Sequence, residues 1–248
     1  MIIRNALISK CSGARTIRFL SAIVLSCAIV SGSAIATPLT QTVPAADSLQ
    51  RQQATQRVSA WRALISDSSH LSDQEKLQRV NDFFNRTIRY GEDIDVWKQS
   101  DYWASPMQTV EKGMGDCEDF ALAKFFTLQL LGIADSQLRM VYATQTATQQ
   151  AHMVLGYWVN EQAEPVLLDN LEKAILPISQ RNDLNVKFAF DERNLFSFDH
   201  ARLQWVSGVE QLPNWQPLLQ RAKREESVIA REEASGAPHE LLLSALNY

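Results

Sequence analysis

Apolar residues recur along this chain with two different periods, and the change between them falls near residue 132. Before it, apolar positions repeat as on one face of a helix; after it, apolar and polar positions alternate as in half-buried strands. A helix is predicted over residues 53–65, with Val58, Trp61 and Leu64 on one face. The next helix is better delimited. Ser72-Asp73-Gln74-Glu75 has the form of a capping box, Leu77, Val80, Phe84 and Ile88 follow at helical spacing, and Gly91 marks the stop. Residues 92–106 read as a loop rich in aromatics and acids, among them Trp97, Tyr102 and Trp103. Gly113-Met114-Gly115-Asp116 reads as a turn leading into a helix over residues 117–131, with Ala121, Phe125 and Leu128 as its buried stripe and Gly132 at C′.

Beyond Gly132 the pattern predicts a strand over 138–143, a second over 152–159, a turn over 160–164 and a returning strand over 166–169. Shorter strands are expected around 174–178, 187–190 and 203–206. Pro217 opens a polar helix whose run Arg221-Ala222-Lys223-Arg224-Glu225-Glu226 is most simply a solvated face. Helices first and an antiparallel sheet after them make an α+β domain, with the N-terminal helices packed on the sheet.

The first residues change this picture. Arg4, Lys10, Arg15 and Arg18 form a basic segment without an acid, Phe19 to Val30 is apolar, and Ala34-Ile35-Ala36 is a small-x-small cleavage site. Residues 1–36 are therefore expected to be a secretory signal peptide, with the mature chain starting near Thr37 in the periplasm. Val24-Leu25-Ser26-Cys27 matches a lipidation motif only loosely, since Leu25 fits it poorly. Residues 37–52 then form a flexible lead-in, 53–215 the main domain and 216–248 a C-terminal helix and tail. Removing residues 1–36 leaves 20 cations against 28 acids, a net charge of about −8, from the −4 of the whole chain. Such an acidic chain without a basic stripe argues against nucleic acid as a partner.

Of the three cysteines, Cys11 and Cys27 lie in the segment to be removed, which leaves Cys117 alone. A lone thiol in an oxidising compartment cannot staple the fold. Buried structural thiols are common, but Cys117 follows Gly-x-Gly-Asp and opens a helix. There, unpaired N–H groups and the helix dipole favour an anion, and the thiolate is the nucleophilic form. Four histidines could serve as its base. His70 is in a polar loop, His239 is in a tail, and His200 follows an aromatic run. His152 opens the strongest alternating strand. If the hairpin closes with Asn160 opposite Ala163, His152 falls opposite Leu171. Asp169 is then its diagonal neighbour on the same face, within reach of a long side chain. Nucleophile, base and orienting carboxylate would be Cys117, His152 and Asp169. Trp103 has two readings, as an aid to an oxyanion or, more simply, as a core residue.

Asp116, Glu118 and Asp119 surround the thiol with carboxylates, which by repulsion oppose thiolate formation. Either a hard cation such as calcium neutralises them, or they simply cap the helix N-terminus, where acids are favourable. On the residues alone, capping is the simpler reading.

Gly115-Asp116-Cys117-Glu118-Asp119-Phe120-Ala121, Ala151-His152-Met153-Val154-Leu155 and Leu168-Asp169-Asn170 together resemble the bacterial transglutaminase-like cysteine proteinases. The resemblance covers roughly residues 55–210 and includes Asp101-Tyr102-Trp103-Ala104-Ser105-Pro106. It implies a transglutaminase/papain-like fold and a calcium-dependent periplasmic endopeptidase that cleaves a large surface adhesin near its N-terminus at a di-alanine site. It also implies calcium on the Asp116, Glu118 and Asp119 cluster, and sequestration by an inner-membrane receptor that responds to cyclic di-GMP. An acyltransferase or peptidoglycan amidase using the same three residues is the rival, because the fold does not fix the acceptor. A binding domain that keeps the motif by descent is a third reading, disfavoured by the intact Cys, His and Asp.

Overall fold

The computed structural model describes residues 45–199 and 202–235. Helices α1 (Ala45–Ser68), α2 (Asp73–Thr87), α3 (Asp93–Val96), α4 (Pro106–Lys112) and α5 (Cys117–Leu130) come first, interrupted by the two-residue strands β1 (Arg89–Tyr90) and β2 (Met114–Gly115). Seven strands follow: β3 (Leu138–Gln145), β4 (Ala151–Tyr157), β5 (Val166–Leu168), β6 (Leu176–Pro177), β7 (Leu184–Phe190), β8 (Asn194–Asp199) and β9 (Arg202–Gly208). They form one antiparallel sheet in the order β6-β5-β4-β3-β7-β8-β9, and α6 (Trp215–Ser235) closes the described chain. The architecture is the expected α+β arrangement.

Helix α1 begins at Ala45, inside the stretch expected to be a flexible lead-in. Residues 45–56 carry Ala, Leu, Gln and Arg, all strong helix formers, but Ser48 to Gln53 are exposed and show no apolar stripe. Propensity makes these turns of helix, and periodicity is blind to them. Val58 and Trp61 are buried as predicted, and the Trp61 indole donates to Thr127 Oγ1 at 2.9 Å.

The capping box of α2 is present in both directions, Ser72 Oγ accepting from Glu75 N and Glu75 Oε2 from Ser72 N. The helix ends earlier than Gly91, because Ile88 turns extended and the chain is captured by β2. Arg89 N donates to Gly113 O and Gly91 N to Gly115 O. The loop expected over 92–106 contains α3 and hands over to α4, which the pattern missed. Its signals were present: Ser105 and Gln108 form a second capping box, with Pro106 at the first helical position.

Helix α5 is not half-buried along a stripe. Every residue from Asp119 to Leu128 is buried, since β3 and β4 cover one side and α2 and α4 the others. It stops in a Schellman motif, with Ile133 N donating to Leu128 O, Gly132 N to Gln129 O, and Gly132 at φ +83°. On the sheet, β8 escaped prediction because a bulge between Leu195 and Phe196 breaks its alternation.

The C-terminal charge run corrects the solvated-face reading. Helix α6 starts at Trp215, whose ring lies among Phe125, Phe126, Phe190 and Trp103 at centroid distances of 5.2–6.3 Å. Nearly two turns later Arg221 sits over Tyr102 at 5.0 Å. Glu225 is 3% exposed and accepts from Ser105 Oγ and from Met107 N. A helix that looked solvated thus holds the first turn of α4 in place. Trp103 is a core residue, 4% exposed and stacked on Phe190.

Replacing Glu225 by Ala leaves the Ser105 and Met107 donors buried without this acceptor. Urea unfolding should show a loss of about 2–3 kcal/mol, in the range for hydrogen bonds to a buried charge. Glu226→Ala, on the exposed face, should stay within about 0.5 kcal/mol.

Candidate active site

Cys117 is the first residue of α5, with Asp116 in the N-cap position. Two glycines aim the chain there. Gly113 has φ +66°, and a Cβ on it would meet the Arg57 guanidinium at 2.7 Å. A Cβ on Gly115 would lie 2.6 Å from Asp119 Oδ2. The short parallel ladder between β1 and β2 then delivers the chain into the helix. Cys117 is 2% exposed, is the free cysteine among the described residues, and donates its thiol hydrogen to Glu118 Oε2 at 3.1 Å.

His152 is the second residue of β4, the strand against which α5 packs. Strand β5 pairs with it as Leu155↔Leu168, Gly156↔Leu167 and Tyr157↔Val166, and Ala163 N donates to Asn160 O in the turn. This is the register the sequence analysis assumed. Asp169 is the residue after β5, so its carboxylate is free of the ladder and turns to His152, with Nε2 2.8 Å from Oδ1. Both residues are buried, at 2% and 1% exposure. With Nε2 on the carboxylate, Nδ1 is the ring nitrogen left to act on a thiol.

Asp169 is held from every side. Leu171 N donates to Oδ1 at 3.0 Å and Arg181 Nη2 to Oδ2 at 2.6 Å. Its main-chain oxygen accepts from Asn85 Nδ2 at 2.8 Å and Lys124 Nζ at 2.9 Å. Lys124 also donates to Asn81 Oδ1 at 2.8 Å, and Asn81 Nδ2 to Lys173 O at 2.9 Å. Burial alone would raise the Asp169 carboxyl. The hydrogen bond and charge of His152, with the Leu171 N–H and Arg181, outweigh it and hold the group ionised, far below the usual range. Burial lowers the Lys124 ammonium to about 7, against the opposing charge of Asp169.

The acids divide into two overlapping groups. Asp93, Asp116 and Asp119 are buried and each offers an oxygen within 4.8 Å of the others. Asp93, Asp101 and Glu118 form the second. Asp116 and Asp119 thus share the first group with Asp93, which sequence reading missed, whereas Glu118, expected beside them, falls in the second. The only signal for Asp93 was the acidic character of the 92–106 loop. Ala104 N and Trp97 Nε1 donate to Asp119, and Tyr102 N to Asp93. Burial, followed by mutual repulsion, raises the carboxyls of Asp116 and Asp119, and Asp116 Oδ1 is buried without a hydrogen-bond partner among the described residues. A hard cation fits such an all-oxygen set, and calcium prefers it.

Arg181, Lys124, Asn81 and Asn85 were also missed, since single polar residues inside apolar patterns do not announce their partners. His70 is exposed, while His200 and His239 lie outside the described residues. So do residues 1–36, with Cys27 and the predicted cleavage site.

The family model described as bacterial transglutaminase-like cysteine proteinase BTLCP matches residues 50–192. Among solved structures, Legionella pneumophila LapG is similar in an EGTA-treated form with a TM-score of 0.62 and in a calcium-bound form with 0.61. In both comparisons the identity is 34%, over 71% of this chain and 96% of the other. Among curated proteins, none matches the chain.

The buried Lys124 has a consequence for stability. Its folded value lies below the unfolded one, so between about pH 7 and 10 the unfolded chain binds a proton that the native chain does not. This group makes stability rise with pH across that window, by up to about 1.4 kcal/mol per unit. Unfolding curves at pH 7 and pH 9 should show that gain in the wild type and its absence in Lys124→Met.

Proposed function

The chain belongs to the bacterial transglutaminase-like cysteine proteinases, and from that membership we propose that it is a calcium-dependent endopeptidase working through Cys117, His152 and Asp169. The observation that carries the reading is the buried 2.8 Å contact between His152 and Asp169, on a strand packed against the helix that the thiol opens. His152 Nδ1 takes the thiol proton while sulfur bonds to the scissile carbonyl carbon. The imidazolium then returns that proton to the leaving amine as the C–N bond breaks. A water, deprotonated by His152, hydrolyses the thioester and restores the thiol. Asp169 holds the ring with Nε2 inward and balances the transient imidazolium. First-turn N–H groups of α5 have no intrahelical acceptor, so they favour negative charge at sulfur and at the carbonyl oxygen.

Asp93, Asp116 and Asp119 are the residues that would hold calcium, with Glu118 beside them. When bound there, the ion supplies the positive charge that keeps these acids ionised without opposing a thiolate. That Legionella LapG is known in calcium-bound and EGTA-treated forms supports this. The family resemblance supports the rest of the proposal. The chain is exported by residues 1–36, and the periplasmic enzyme cleaves a large surface adhesin near its N-terminus, releasing it and promoting biofilm dispersal. A LapD-like inner-membrane receptor of cyclic di-GMP controls access to it.

Incubating the mature chain with the N-terminal region of a large adhesin from the same genome tests the reading. Cleavage should need calcium, stop in EGTA, and be lost in Cys117→Ala and His152→Ala with the fold retained. Undiminished cleavage by Cys117→Ala would sink the mechanism, and transfer of the acyl group to an added amine in place of water would favour an acyltransferase.

Calcium itself is checked without substrate. A thermal melt should shift upward with calcium concentration, since the ion binds the native state. Asp93→Asn and Asp116→Asn should each remove most of that shift. A melt indifferent to calcium in an active enzyme would leave the acids as a helix cap.

A further inference from the structure

The Asp169 carboxylate has a buried partner that the chemistry above leaves unused. Arg181 is 3% exposed, and its Nη2 lies 2.6 Å from Asp169 Oδ2, the oxygen turned away from His152. The same guanidinium meets Asp183, with Nε 2.9 Å from Oδ1 and Nη2 2.7 Å from Oδ2. The backbone fixes its place, because Arg181 N donates to Ile178 O at 3.1 Å and Leu184 N to Arg181 O at 3.0 Å. The Asp183 side chain is 59% exposed. From solvent inward, the row therefore runs Asp183, Arg181, Asp169, His152, each charge answered by the next.

We infer that Arg181 is a positioning residue for His152, acting through Asp169. This rests on the reading of His152 as the base. Two effects follow from the geometry. A carboxylate has two equivalent oxygens, and engaging Oδ2 with a planar guanidinium leaves Oδ1 as the one that meets the imidazole. The guanidinium also offsets part of the negative charge that His152 feels. A buried carboxylate with no such cation would stabilise the imidazolium strongly and make it reluctant to return its proton. Few other groups reach this row. Lys124 of α5 meets the main-chain oxygen of Asp169, Asn81 and Asn85 of α2 are uncharged, and the Cys117 thiol and Glu118 stand at the head of α5.

The test is a pH titration of the histidine rings of the full mature chain by proton–nitrogen NMR, without substrate and at fixed calcium. In Arg181→Met the His152 imidazolium should persist to a pH higher by about one unit. Arg181→Lys, which keeps the charge and loses the fork, should shift it by less than half as much. Asp183→Asn should shift it in the opposite direction, because Arg181 then faces Asp169 undivided. His70, exposed, is the internal reference and should not move. In a cleavage assay Arg181→Met should lower kcat with KM little changed. If Arg181→Met does not fold, Asp183→Asn decides on its own, since it alters an exposed side chain. A downward shift supports the inference, and a His152 titration unchanged from wild type overturns it, as do shifts of one sign in both variants. The titration readouts do not need proteolysis. Full cleavage by His152→Ala would refute the proposed function, and the titration would still report whether Arg181 governs that ring.

Discussion

From Asp119 to Leu128 helix α5 is buried on all sides, and a charge or polar group carried there has no water to turn to. Each must be answered by a partner on another element, because an unpaired charge in such a place costs more than the fold can spare. The partners can be traced one by one. Asp119 is met by Ala104 N and Trp97 from the preceding loop, Lys124 by Asn81 and the main chain of Asp169, and Thr127 by Trp61. Much of the surrounding structure follows from this. Residues 93–104 are wrapped close to the helix head, α2 turns two asparagines inward, and the turn after β5 is fastened by its carbonyl groups. The same buried helix that specifies the core therefore places the thiol, the acids and the support for Asp169.

The acids at the helix head are not answered as fully. Asp119 and Asp93 accept backbone N–H groups, but Asp116 keeps a buried oxygen without a hydrogen-bond partner among the described residues. Three carboxylates this close cannot all be ionised in a low-dielectric pocket without a counter-charge. Protonation is one solution and a divalent cation the other. They differ in what they do for a neighbouring thiolate, since neutral acids only cease to repel it, whereas a bound cation draws negative charge towards itself. Two full capping boxes elsewhere, at Ser72 and Ser105, show how this chain caps a helix when capping is the only task. At α5 the N-cap Asp116 makes no such side-chain bond. That contrast weighs against reading the acids as caps alone.

The elements were legible where one physical signal dominates. Periodicity and the Ser72 box gave α2, alternation gave β3 and β4, and the Asn160–Ala163 turn fixed a register that put Asp169 beside His152. Three things were hidden for different reasons. Helix α1 extends by propensity over exposed residues, where no apolar stripe exists to be read. Strand β8 carries a bulge that interrupts alternation. Glu225, Arg181 and Lys124 look like ordinary surface charges in a linear string, and only the fold shows that they are inside. The third class matters most for function. Local patterns report where a side chain points along its own element, but the pairing of Arg181 with Asp169, or of Asp93 with Asp116, is long-range. The expected ligand set of Asp116, Glu118 and Asp119 shows this. Glu118 accepts from the thiol and falls in a second acidic group with Asp93 and Asp101, while Asp116 and Asp119 share theirs with Asp93, a residue more than twenty positions away in sequence.

The two halves of the site are held with different stiffness, and this bears on how a cation would be sensed. His152 sits in a paired strand, and Asp169 is fixed at both its carboxylate and its main-chain oxygen. Changes in the protonation of distant acids have little leverage on such a pair. The acidic half is built otherwise, because backbone N–H groups of the 93–104 segment are satisfied by the very carboxylates in question. Tyr102 N relies on Asp93 and Ala104 N on Asp119. A cation that claims those oxygens competes with the loop that carries these donors, and that loop continues into Ser105 and the start of α4, where Glu225 of α6 is anchored. An ion bound at the helix head would therefore act first on the loop beside the thiol, since the bonds that join His152, Asp169 and Arg181 involve none of these acids.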